Sequence, residues 1–176
     1  MEFTLTSGAA AKQRTACLVV GVFEKAGLSP TAEAVDTAAG GIISALFKSG
    51  DIRGKSGESL MLQRPAGIAA ERLLVVGCGK SGPLAGAEFR KVVAAAAAAL
   101  KGSAAKSAVM SLIELEVSER DTAWKVREAV EQTHHALYRF EQTKSEKTPR
   151  AELPALSRIT FPAAGREGAA ARTAIA

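Results

Sequence analysis

Cysteine and histidine are scarce, with two of each in 176 residues. Cys17 and Cys78 stand in or just after apolar, strand-like runs. That placement suits small buried hydrophobes in a reducing compartment, and a disulfide framework is not expected. The two histidines, His134 and His135, are adjacent. Neighbours on a helix point about 100° apart and cannot converge on one metal ion. No Cys, Asp or Glu stands at ligand spacing with either one to complete a site. His134 is expected near the buried stripe of its helix and His135 near solvent. No G-x-S-x-G occurs, which removes the nucleophile elbow of the serine hydrolases. The N-terminus has no basic start followed by an apolar block, so no signal peptide is read there. The longest strongly apolar run, Val92–Leu100, is mostly alanine and too short for a bilayer span. A cytoplasmic protein with no membrane partner is the expectation. Internal repeats are absent as well.

What is present is the composition of a globular domain: 47% hydrophobic and 23% charged residues. A chain of this length buries one sizeable core. Lys and Arg number 23 against 18 Asp and Glu, a net charge of +5 with pI near 9.4. Such an excess favours solubility and some attraction to polyanions, and says nothing about fold.

The stretch that organises the chain is Arg72–Lys80. Leu73 to Val76 are four consecutive branched apolar residues running into a glycine turn. A continuous apolar run marks a strand buried on both faces, at the centre of a parallel or mixed sheet. Phe3 and Leu5 alternate with polar neighbours as in an edge strand, and Ala16–Phe23 is a second buried strand. Ser29-Pro30 provides a hydroxyl N-cap and a proline for a helix running to Gly50. Val35, Ala39, Ile42 and Leu46 share one face of it. Gly40 and Gly41 fall inside that helix at about 1 kcal/mol each against alanine, and close packing is the expected reason. Ser59–Gln63 and Arg72–Val76, joined by Pro65-Ala66-Gly67 with no room for a helix, read as an antiparallel pair. A helix over Leu84–Lys101 follows, then a strand over Ser107–Leu115, then a helix from about Arg120 to Gln142. Its stripe is Ala123, Val126, Val130, Thr133, Leu137 and Phe140. Thr143–Pro154 reads as a solvated loop and Leu156–Phe161 as a last strand. The sum is an α/β chain, a three-layer α/β/α domain on a mixed sheet of about six strands.

Gly77-Cys78-Gly79-Lys80-Ser81-Gly82 has the letters of a dinucleotide fingerprint. Pro83 and Gly86 delay the following helix, however, and Lys101-Gly102-Ser103 stands where the ribose-binding acid belongs. The P-loop pattern needs a glycine at position 74, which is Leu74. A tight strand-to-helix connection, with glycine supplying positive φ, is the expectation. Glu114, Glu116 and Glu119 cluster after a strand, where carboxylates can bind metal; helix-terminus and surface roles are expected instead. Lys144–Arg150 is a basic stretch without interleaved aromatics, suited to a solvated loop more than to phosphate contacts.

Four pieces stand in one order: Ala16–Glu24, Gly54–Glu58 followed by Leu60–Leu62, Glu71–Lys80, and Thr122–Val130. Together they resemble the N-terminal domain of bacterial leucyl aminopeptidase, the cytosol aminopeptidase family. Ala170–Ala176 resembles the segment leading into that family's catalytic domain. The resemblance implies a macro-domain-like fold over residues 1–163, with 164–176 beginning the linker or helix to a catalytic domain absent from this chain. It implies a parent homohexamer that removes N-terminal residues, leucine preferred, from peptides with two divalent ions, manganese or zinc. The implied partners are the catalytic domain, the other subunits and, in the parent, peptide substrates. The family's metal ligands surround an Asn-Thr-Asp-Ala-Glu-Gly-Arg motif, and this chain contains no asparagine. No catalytic, cofactor-binding or metal residue is therefore carried over, no cofactor is expected in the segment, and assembly or regulation is its expected role. The alternative implied by the fold is a stand-alone module for nucleic acid or a nucleotide such as ADP-ribose. Macro domains that bind ADP-ribose use an asparagine-bearing loop, which is missing here. Some members of the family bind DNA, which the basic excess permits.

Overall fold

The computed structural model describes residues 1–138 and 155–175. Strands β1 (Glu2–Thr6), β2 (Cys17–Phe23) and β3 (Gly27–Leu28) come first, followed by helices α1 (Pro30–Ala38) and α2 (Ile42–Ser49). Then come β4 (Ser59–Gln63), β5 (Arg72–Gly77), α3 (Gly86–Lys101) and β6 (Ser107–Met110). The chain closes with α4 (Thr122–Leu137), β7 (Arg158–Pro162) and α5 (Gly165–Ile175). The sheet runs β1-β7-β6-β2-β5-β4, with the two-residue β3 paired to β2. Four neighbouring pairs, from β1–β7 across to β2–β5, are parallel. The β4–β5 and β2–β3 pairs are antiparallel. The expected mixed sheet and the β4–β5 hairpin are both present.

Burial follows the continuous apolar runs. Leu18, Val20, Val22, Leu73 and Val75 face α1 and α2, while Val19, Leu74 and Val76 face the layer of α3, α4 and α5. Each such side chain contributes about 1.5–3 kcal/mol when fully buried. Burial on both faces separates β2 and β5 from the half-exposed β1 and β4. One expectation is corrected here. β5 is not the middle strand but lies one in from the edge, because the short Pro65-Ala66-Gly67 turn places β4 outside it; β2 holds the middle.

Three further corrections have local causes. The helix expected from Pro30 to Gly50 is two helices, broken where Gly40 and Gly41 take φ of +68° and +85°. A Cβ at either glycine would meet nothing within 4 Å, so left-handed backbone rather than close packing accounts for them. The Asp36 carboxylate rebuilds the break. Its Oδ1 accepts from the Ile43 amide at 2.7 Å and the Ser44 amide at 3.1 Å, and its Oδ2 from the Ser44 hydroxyl at 2.5 Å. The strand expected to reach Leu115 ends at Met110 and tightens into a 3-10 turn over Ser111–Glu114. The fourth helix starts at Thr122, where the Asp121 side chain accepts from the Trp124 amide at 2.8 Å, and is described to Leu137. Phe140, Gln142, the Thr143–Pro154 loop and the basic stretch Lys144–Arg150 lie outside the described residues.

Helix α3 buries Phe89, Val92, Val93 and Leu100 together with Ala96 and Ala97 of its six-alanine run. The small alanine side chains permit close approach to the sheet. Helix α5 joins the same layer, with Ala171 fully buried.

Candidate functional site

In open α/β sheets, ligands sit beyond the carboxyl ends of the strands, where the strand order reverses. Here that point is β2, whose chain leaves to β5 on one side and returns through α3 to β6 on the other. The Gly77–Gly82 loop, the 3-10 turn after β6 and the start of α1 all meet there.

The first half of the glycine loop is taken up by backbone pairing. The Gly77 amide donates to the Glu58 carbonyl at 2.7 Å, Cys78 to Val22 at 2.7 Å, and Gly79 to Gly54 at 2.8 Å. In return the Gly57 amide donates to the Gly77 carbonyl at 3.0 Å and Glu24 to Gly79 at 2.8 Å. An anion-binding nest requires free, convergent amides, and the amides of Gly77, Cys78 and Gly79 are spent. The glycines bring three chain segments into contact. A Cβ on Gly77 would lie 2.1 Å from the Lys55 carbonyl oxygen, and one on Gly54 would lie 2.3 Å from that of Phe23. Helix α3 starts only at Gly86, after Leu84 has bridged to Val117, as the delay by Pro83 and Gly86 predicts.

Further bonds tie this end of the sheet together. Ser111 Oγ donates to the Val19 carbonyl at 2.7 Å, and the Ser29 amide donates to Gly21 at 3.1 Å. Glu114 reaches the N-terminus of α1: its Oε1 accepts from the Thr31 amide at 3.1 Å and its Oε2 from the Thr31 hydroxyl at 2.6 Å. A helix N-terminus attracts an anion, and here a half-buried internal carboxylate fills that role. Glu114 thus serves a helix terminus, as expected, but of a helix 83 residues earlier in the chain. Sequence reasoning missed Thr31 and Gly54. For Gly54 the one sequence trace is Gly54-Lys55-Ser56-Gly57, a second glycine pair preceding β4.

The other singled-out residues do not assemble with this region. Both histidines are exposed, and the His134 ring rests against Phe3 with centroids 5.3 Å apart. Burial pushes the Cys17 and Cys78 thiols up to about 12, so neither is a nucleophile near neutral pH. Among the described residues, no three His, Cys, Asp or Glu side chains group so as to hold a metal ion. Glu116 and Glu119 are exposed and point to no shared centre with Glu114. The described residues do not fit a two-metal hydrolytic centre.

The sequence model for the cytosol aminopeptidase family, N-terminal domain, matches residues 19–147. The chain is 45% identical over 161 residues to the probable cytosol aminopeptidase of Aliivibrio fischeri (strain MJ11), covering 92% of this chain and 32% of that protein. The chain therefore spans about a third of the length of the curated relatives it matches. Among solved structures, a tomato leucine aminopeptidase mutant superposes with a TM-score of 0.70 at 20% identity, covering 99% of this chain and 35% of that one. The macro domain of ganglioside induced differentiation associated protein 2 gives 0.70 at 12% identity, covering 98% and 81%. At these identities the two structures establish a shared macro-like fold.

Proposed function

This chain belongs to the cytosol aminopeptidase family, whose N-terminal domain it carries, and we propose that it is the non-catalytic part of a metal-dependent leucyl aminopeptidase. The observation that carries this is the match of residues 19–147 to the N-terminal domain of that family, within a chain about a third as long as its relatives. The parent is a hydrolase that removes N-terminal residues, leucine preferred, from peptides. In this reading two divalent ions, manganese or zinc, would be held by residues of the parent's catalytic domain and would supply Lewis-acid chemistry for peptide hydrolysis. Residues 1–163 form the macro-like domain and 164–176 lead toward the catalytic domain.

The role of the domain is assembly or regulation within a cytoplasmic hexamer. A macro-like body whose Gly77–Gly79 amides and α1 N-terminus are engaged by its own chain suits a structural partner of the catalytic domain better than a nucleotide receptor. Among the described residues, no helix is long and apolar enough to cross a membrane.

The test is the coding sequence beyond Ala176. A downstream cluster of one lysine and several carboxylates is expected, and the full-length product should release leucine from a chromogenic leucyl amide. Chelation should abolish that activity and manganese restore it, while the 176-residue chain alone should be inactive. A stop codon after Ala176, or a downstream sequence with no such cluster, overturns the assignment. Deleting residues 1–163 from the parent should disturb its assembly or its regulation; an unchanged hexamer with unchanged kinetics removes that role.

A further inference from the structure

The opposite end of the sheet is open. Where β2, β5 and β6 begin, a cavity of about 820 Å³ is lined by Arg14, Thr15, Glu71, Arg72, Lys106 and Ser107, with alanines filling the gaps. A second cavity of about 440 Å³ adjoins it and shares Arg72 and Ala104. Three cations and one carboxylate face the larger space. Glu71 is already engaged, its Oε2 3.2 Å from Arg72 Nη1, and the same Nη1 donates to the Ala16 carbonyl at 3.3 Å. Those two bonds fix the Arg72 guanidinium, whose side chain is only 20% exposed, in the wall of the cavity. Arg14 and Lys106 stand exposed at the rim and have no ion pair among the described residues.

The hydroxyls complete the lining. Ser107 Oγ accepts from the Ala16 amide at 3.3 Å and lies 3.5 Å from Thr15 Oγ1, so each hydroxyl is held at the cavity wall. A concave wall with an excess of one charge sign focuses the field into the cleft, and guanidinium groups suit the fork geometry of oxyanions. The other basic surface is spent differently: Arg90 forms a two-bond pair with Glu128, at 2.7 and 3.0 Å, and Arg90 and Arg120 both lie over Trp124. No aromatic ring lines the amino-end cavity, so there is no stacking platform for a base. The volume falls within the range of small-molecule sites, about 300–1,000 Å³, and exceeds what a single simple ion fills.

We propose that this amino-end cavity is a binding site for a small multivalent oxyanion, a di- or polyphosphate group, held by Arg14, Arg72 and Lys106 with Ser107 as a hydrogen-bond donor. It is separate from the closed crevice beyond β2 and independent of the peptidase chemistry of the parent. A phosphate and a carboxylate source share this recognition chemistry, and the two arms of the test divide them.

The 176-residue chain is titrated with inorganic pyrophosphate and, separately, with citrate, by calorimetry and by backbone amide shifts. Saturable pyrophosphate binding is expected, with shifts concentrated at residues 14–16, 71–72 and 104–107. Affinity should fall about tenfold or more between low and physiological salt, where charges beyond about 8 Å are screened. The double variant Arg14→Ala, Lys106→Ala changes only exposed rim residues, so it should keep its melting temperature and lose binding about tenfold or more. Arg72→Lys retains the charge but not the fork, and should weaken binding less than Arg72→Ala. Tighter binding of citrate than of pyrophosphate overturns the phosphate assignment. No saturation into the millimolar range, undiminished binding by the double variant, or shifts centred on Trp124 instead overturns the site itself.

Discussion

The two ends of the sheet meet opposite fates. At the carboxyl ends of β2 and β5, the place where this type of sheet ordinarily receives ligands, three segments interlock through backbone hydrogen bonds and Glu114 occupies the α1 N-terminus. At the amino ends the chain leaves an open, positively charged cavity. A macro-like fold by itself therefore establishes no macro-domain site. Fold and site are separable, and what separates them here is a handful of glycines and one carboxylate. The polar groups that face a ligand in an open crevice face the protein's own chain instead, which exchanges binding capacity for cohesion between β2, β5 and the Arg53–Glu58 connection.

The contrast breaks first at the glycines. Gly77→Ala places a methyl group 2.1 Å from the Lys55 carbonyl oxygen, and Gly54→Ala places one 2.3 Å from that of Phe23 on a backbone with φ of +75°. Both neighbours are backbone atoms held by hydrogen bonds and cannot rotate aside. Overpacking costs about 1–3 kcal/mol and a left-handed non-glycine residue about 1–2 kcal/mol more. Gly54→Ala should therefore lose about 3 kcal/mol or more in denaturant unfolding, with Gly77→Ala close behind. Gly40→Ala is the control. It has a similar φ and open space around its Cβ, so it should lose only the conformational part. Equal losses for Gly40→Ala and Gly54→Ala would show that the interlocking contributes nothing.

Glu114 comes next. Replacing it with glutamine removes the charge facing the α1 N-terminus while keeping the shape, and should cost about 1–2 kcal/mol. Glu114→Ala leaves the Thr31 amide and hydroxyl without their acceptor and should cost more. The alanine variant also asks whether closure is what excludes ligands. An anion should then gain access to the Thr31 amide, seen as a phosphate-dependent shift of that amide that wild type lacks. An unmoved amide would mean that the glycine interlock alone closes this end.

Much of this architecture is legible along the chain, because burial on both faces of β2 and β5 writes itself as unbroken apolar runs. The β4–β5 hairpin is equally legible, since the eight residues between Gln63 and Arg72, with a Pro65-Ala66-Gly67 turn among them, leave no space for a crossover. The rank of β5 within the sheet is not, because strand order depends on where a crossover returns, and α3 carries the chain past β2 to β6. The split of the first helix is half legible. Gly40-Gly41 marks the place, but whether paired glycines accommodate a neighbour or a left-handed turn is decided by φ. The loop at Gly77–Gly82 shows the limit most plainly. Its letters permit a phosphate nest, and the bonds that take up its first three amides come from Val22, Gly54 and Glu58, between 19 and 56 positions away in sequence. The amino-end cavity leaves even less trace, since Arg14, Arg72 and Lys106 share no local pattern and meet only through the parallel starts of three strands.

At the amino end, the smallest expected effect tests whether cohesion there rests on a single charge. Gly67, in the turn before β5, packs against the Ala38 carbonyl, which brings the α1–α2 junction to this end of the sheet. The Asp36 carboxylate spans that junction. Burial works against its ionisation, but the hydrogen bonds from the Ser44 hydroxyl and the Ser44 and Ile43 amides prevail and hold its carboxyl below the ordinary value. A carboxyl whose pKa is lower in the folded than in the unfolded chain binds its proton more readily when unfolded. Its contribution is complete above the unfolded value, about 3.9, and disappears as pH falls through the folded one. Asp36→Asn should thus cost about 1 kcal/mol at pH 7, as loss of a helix cap does. The gap between the variant and wild type should stay constant from pH 7 to about pH 5 and narrow as the pH drops below about 4. Thermal melts of both proteins across that range measure it. A gap that persists undiminished in acid would place the role of Asp36 in shape rather than charge, and the junction would then hold by packing of Val35, Ile42 and Ile43 alone.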